Sequence, residues 1–88
     1  MSGENGNFDL DGRSFHYEIL EIHTIHGDTY TGSEMEDHLE DSDRIFYSVT
    51  APDGQEFHRW LGGPYEDFDQ LVEAIEDETG GYDEAEAA

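Results

Sequence analysis

The stretch RIFYSVTAPDGQEFHRWL, residues 44–61, reads as strand, turn and returning strand. Arg44–Thr50 is rich in β-branched and aromatic residues, Ala51-Pro52-Asp53-Gly54 carries turn chemistry, and Gln55–Leu61 alternates again. An antiparallel hairpin follows, and every other element must be fitted to it. Upstream, Phe8, Leu10, Phe15, Tyr17 and Ile19 alternate around Asp11-Gly12, a two-residue type I′ signal because both positions tolerate positive φ. Pairing across that turn sets Leu10 opposite Arg13 and Phe8 opposite Phe15, leaving one face apolar. After Ile19 the parity slips to Leu20 and Ile22, which calls for a bulge or a strand apolar on both faces. A second turn is expected at Gly27-Asp28, of type II′, joining Ile25 and His26 to Thr29–Thr31.

Downstream, Phe68, Leu71, Val72 and Ile75 stand at i, i+3, i+4 and i+7, the spacing of one helical face. Asp67 and Gln70 form a variant capping box before it, and Gly80 is placed to end it. Ser33 and Glu36 have the same capping spacing, with Met35 and Leu39 four apart, so a short acidic helix bridges the two hairpins in this reading. The expected architecture is an α+β domain: an antiparallel sheet of four to five strands with one C-terminal helix on one face. Residues 7–80 make the domain, with 1–6 disordered and 81–88 a disordered acidic tail.

The charge is extreme. Twenty-four acids face three arginines, and the formal net charge is -21. Leu, Ile, Val and Phe number 17 of 88, about 19%, which with such a charge is the composition of a disordered chain. Distribution argues otherwise. Residues 13–32 and 44–65 hold only Glu18, Glu21, Asp28, Asp53 and Glu56 among their acids, together with all three arginines. The strand-forming segments are therefore nearly neutral, and 19 of the acids lie elsewhere. So much carboxylate excludes unaided binding to nucleic acid or to an anionic membrane, because it repels phosphate.

Three arginines, no lysine and this density of acid resemble the small cytosolic proteins of halophilic archaea. That resemblance is one of composition and implicates no named family. It implies a cytoplasmic protein that needs high KCl to fold, since molar salt cuts the Debye length to about 3 Å and screens the self-repulsion. Met1–Asn7 is polar and glycine-rich, without the apolar run of a leader. No apolar stretch is long enough to span a bilayer. The chain has no cysteine, hence no disulfide framework and no thiolate chemistry.

Four constellations are candidates for function. Asn7, Asp9, Asp11, Gly12 and Glu18 have the spacing of a calcium loop, but the entering helix has no room and the Asp-Gly hairpin explains the same residues. His16 with Glu18, and Glu56 with His58, form two His/carboxylate pairs on strand faces. Brought together they would bind zinc or another divalent metal, a reading that leaves room for catalysis; the competing reading makes these histidines polar strand residues on a solvated face. Phe46, Trp60 and Tyr65 form an aromatic group set away from the helix by alternation if Phe57 and Leu61 face it. They would contact a protein partner or a second copy, unless the bridging segment folds over them as core. The acidic clusters 34–43 and 76–86 read as a solvated face, or else as a phosphate mimic that captures basic proteins. No phosphate loop, nucleophile elbow or metalloprotease motif is present, and no cofactor is called for. The expectation is a non-catalytic interaction or self-association module.

Overall fold

The computed structural model describes residues 5–87, and their side chains as far as Gly80. It contains an antiparallel sheet of five strands and one C-terminal helix, an α+β arrangement. The strands are β1 (Asn5–Leu10), β2 (Arg13–Thr24), β3 (Thr29–Tyr30), β4 (Ser42–Thr50) and β5 (Glu56–Gly62); α1 runs Phe68–Ala87. Their order is β1-β2-β4-β5, with β3 beside the upper part of β2 on the flank that β1 leaves free. Because β1 begins at Asn5, two of the residues expected in a disordered N-terminus pair instead with Glu18 and Tyr17. Residues 1–4 and 88 lie outside the described residues.

The first hairpin closes as its sequence requires. Asp11 (φ 52°) and Gly12 (φ 78°) both take left-handed backbone, and Phe8 pairs with Phe15, their rings stacked with centroids 5.6 Å apart. The parity slip after Ile19 is a β-bulge: Ile19 faces Tyr47 and Glu21 faces Phe46, so Leu20 is the extra residue. Its consequence is that Ile19 and Ile22 are both wholly buried on one face, although three residues apart.

The second turn differs from the expected type II′ at Gly27-Asp28. Here Thr24 C=O accepts the Gly27 N–H (3.0 Å), Thr24 N–H donates to Asp28 C=O (2.8 Å), and Gly27 is left-handed at φ 89°. That is a three-residue loop, Ile25-His26-Gly27, with its glycine last. The Thr24 hydroxyl also accepts the Asp28 N–H (3.1 Å), an anchor that a turn centred one residue later would lose.

The bridging segment is a 3-10 helix, Gly32–His38, starting after Thr31 without a side-chain cap, so the Ser33/Glu36 capping box is not used. Its value lies in Met35 and Leu39, both fully buried, which tie it to the core under the sheet. Leu71 and Ile75 of α1 join the same cluster. Both non-strand elements therefore cover one face of the sheet, and the other is left open.

At the start of α1 the Gln70 N–H donates to Asp67 Oδ1 (3.0 Å). The Gln70 side chain accepts in return from the Glu66 N–H (3.1 Å), one residue before the usual position. We expect Asp67→Ala to cost about 1 kcal/mol, read as a lowered denaturant midpoint with an unchanged slope. The helix does not stop at Gly80. It continues to Ala87, and residues 81–87, expected as a tail, extend it. Gly80 is absent from the left-handed glycines, and an interior glycine costs only about 1 kcal/mol relative to alanine, so glycine ends a helix only by adopting the left-handed cap.

Candidate functional site

Alternation along β4 and β5 sorts their side chains into two sets. Ile45, Tyr47, Val49 and Leu61 point into the core; Phe46, Ser48, Glu56, His58 and Trp60 point to the open face. Phe46 and Trp60 are direct cross-strand partners, ring centroids 4.8 Å apart. His58 stacks on Phe46 at 5.7 Å, and His23 meets Trp60 edge-on at 5.0 Å. The Arg44 guanidinium lies 5.1 Å from the Trp60 ring centre, a cation–π contact. Each cross-strand pair of this kind contributes roughly 0.2–1 kcal/mol to the sheet, so the cluster is a preformed, stiffened surface. It is not core: Trp60 remains 48% exposed.

His23 and Arg44 were not legible as members of this group. The bulge at Leu20 moves His23 onto the open face, opposite Arg44. The parity slip at Ile19 and Ile22 was the signal that could have placed it there. Glu21, also re-aimed by the bulge, accepts from His23 Nε2 (3.1 Å) and fixes the ring against Trp60.

Tyr65 lies elsewhere. Its N–H donates to Leu39 C=O (3.1 Å) and its ring packs against the core beside α1, so the structure separates it from Phe46 and Trp60. Burial, with Glu78 adding a smaller repulsion of the phenolate, raises its pKa above the usual tyrosine value.

The two His/carboxylate pairs share the open face but not a common point. β4 stands between their strands: Thr50 separates His16 from Glu56, and Ser48 separates Glu18 from His58. His16 Nδ1 donates to Asn7 Oδ1 (2.8 Å), and the ring of His58 is occupied by Phe46. Among the described residues no three His, Asp or Glu side chains converge as metal ligands. The calcium-type spacing resolves into strand and turn: Asn7 and Asp9 lie in β1, Asp11-Gly12 makes the hairpin, and Glu18 pairs with Asn5.

The other two arginines sit on the covered face. A pocket of about 60 Å³ there has Arg13 and Arg59 on its walls above Phe15, Val49 and Phe57. Each guanidinium lies over a ring, Arg13 over Phe15 (5.3 Å) and Arg59 over Phe57 (5.5 Å). Among the described residues no helix is long and apolar enough to cross a membrane. Comparison with protein families, with curated proteins and with solved structures returns no match.

Proposed function

We propose that the chain is a non-catalytic protein-contact module of a salt-rich cytoplasm, as in halophilic archaea, and that Phe46 and Trp60, framed by His23, His58 and Arg44, are its contact surface. The observation that carries this reading is Trp60, 48% exposed in a packed aromatic cluster on the sheet face that α1 and the 3-10 segment leave open. A tryptophan side chain offers about 150–250 Å² of surface; covering its exposed half stabilises a complex by roughly 2–3 kcal/mol at 25 cal/mol per Å². Aromatic and arginine side chains together are what contact centres favour. The near-neutral charge of the strand segments supports the same placement, because a partner's apolar surface avoids a field of carboxylates.

Ile25 supplies the control. It is 66% exposed, but on a turn and outside the aromatic cluster. With a photo-crosslinking aromatic residue at position 60 or at position 25, in cells, we expect protein adducts from 60 and few from 25. Equal yields from the two positions, or none from 60, would overturn the contact reading. Trp60→Ala should lower stability by about 2–3 kcal/mol, the contribution of the half of the ring already packed on Phe46, His23 and Arg44.

A further inference from the structure

We infer that the chain also pairs with a second copy of itself, joined edge to edge through β5, so that the two open faces run on as one and the Phe46 and Trp60 rings of both copies stay available for the contact proposed above. β5 ends the sheet, and among the described residues no strand lies beyond it. Its seven residues pair with β4 in unbroken register, from Glu56 opposite Thr50 to Gly62 opposite Arg44. Natural edges are guarded by bulges, prolines, lysines or inward-pointing charges; β5 has no bulge, proline or lysine, and its one inward-pointing charge, Arg59, lies over the Phe57 ring of its own strand.

Charge selects where two such chains can meet. Each copy carries -21, so the junction must lie where its own charges cancel. They do in residues 44–65, where Arg44 and Arg59 offset Asp53 and Glu56. α1, with Asp69, Glu73, Glu76, Asp77 and Glu78, and the 3-10 segment, with Glu34, Glu36 and Asp37, offer no such place. Charge also separates edge-on from face-on contact. Stacking two open faces would press Asp9, Glu18, Glu21 and Glu56 of one copy onto the same set in the other, with Arg44 as the counter-charge. Edge pairing keeps these groups side by side in solvent.

The register follows from the same test. Antiparallel edge strands related by a two-fold axis normal to the sheet keep their faces, and the residue on the axis opposes itself. An axis at Arg59 sets guanidinium against guanidinium. An axis at His58 sets Phe57 opposite the partner's Arg59 twice over, extending across the seam the ring contact that Arg59 already makes within one copy. It also sets Glu56 beside the partner's Trp60, so the aromatic rows of both open faces lie on one ten-stranded sheet. His58 on the axis is the arrangement we assign.

A chain without cysteine makes the test clean. His58→Cys, Arg59→Cys, Trp60→Cys and Ile25→Cys are each oxidised in molar KCl and run without reductant, beside sedimentation equilibrium of the unmodified chain. Residues opposed on the axis have Cα atoms about 4.5–5.5 Å apart, within disulfide range, so His58→Cys should form covalent dimer about tenfold faster than the others. The unmodified chain should show a monomer–dimer equilibrium that shifts to dimer as KCl rises. Fastest bridging at Trp60→Cys, the signature of stacked faces, overturns the edge assignment, as does fastest bridging at Arg59→Cys for the His58 register. A strictly monomeric chain in molar KCl overturns the second copy as partner, even if a variant bridges by collision. In that case adducts from position 60 to a different protein would still leave the contact reading standing.

Discussion

Gly63→Ala should lower the melting temperature by roughly 12–24 °C, a loss of about 3 kcal/mol at the 4–8 °C per kcal/mol typical of a domain this size. Gly63 links β5 to the segment that leads into α1, and its N–H donates to Asp43 C=O (2.9 Å). A Cβ on it would stand 2.6 Å from the Ser42 carbonyl oxygen and 2.9 Å from that carbonyl carbon, and would also strike Ser42 Oγ. None of these atoms can withdraw cheaply. Ser42 is wholly buried, its hydroxyl donates to Leu39 C=O (2.6 Å), and its backbone pairs with Thr24 at the end of β2. Relief therefore requires β4 or the Leu39 turn to shift, and Leu39 is part of the core. Gly62→Ala is the matched control. A Cβ there meets nothing within 4 Å, and alanine is the better strand residue, so its melting temperature should hold or rise slightly. Thermal scans in one buffer decide it: equal shifts for the two variants would show that the close approach to Ser42 does not limit stability.

The contrast between neighbouring glycines shows where sequence reading runs out. Asp11-Gly12 was legible because a two-residue hairpin needs positive φ at both positions, a local demand that few residue pairs meet. The bulge at Leu20 was legible for a similar reason, since Ile19 and Ile22 cannot share a core without an inserted residue. Gly63 carries no such mark, because its requirement comes from Ser42, 21 positions away in the chain. Tyr65 was misplaced by the same logic. Alternation predicts faces only within a strand, and Tyr65 lies past the end of β5, where Leu39 C=O holds its backbone instead. The turn at Ile25–Gly27 failed on a finer point: Gly27-Asp28 is acceptable turn chemistry, but the Thr24 hydroxyl prefers the loop one residue earlier. For the candidate site, Phe46 and Trp60 followed from the alternation of one hairpin, whereas His58, read as a metal-ligand candidate with Glu56, joins them by stacking on Phe46. His23 and Arg44 needed the bulge to be converted into a change of face, and that step depends on which residue of β2 is the extra one.

Removing salt should unfold the domain at neutral pH, and it should release α1 first. With a radius of gyration of 12.9 Å the chain approximates a sphere of about 17 Å radius. Charging such a sphere to its net -21 costs of order 20 kcal/mol at 0.1 M salt and about 8 at 1 M, against roughly 5 and 2 for the expanded chain. Salt thus returns up to about 9 kcal/mol to the folded state, as much as the entire stability of an ordinary domain. The relief is uneven along the chain. Asp69, Glu73 and Asp77 follow one another at i, i+4 along α1, and no basic residue sits in the last turn. Each like-charge pair weakens the helix by a few tenths of a kcal/mol, more as screening falls. The sheet segments, nearly neutral, carry no such load. Leu71 and Ile75 must leave the core when α1 detaches, so its loss exposes the apolar face of the sheet and the remainder melts soon after. Far-UV circular dichroism across a KCl series should show the 222 nm helix signal falling at higher salt than the near-UV signal of the Trp60 cluster. Sucrose, which strengthens burial without screening charge, should not substitute for KCl. If it substitutes fully, or if the melting temperature is the same in dilute and molar KCl, self-repulsion is not what limits this fold.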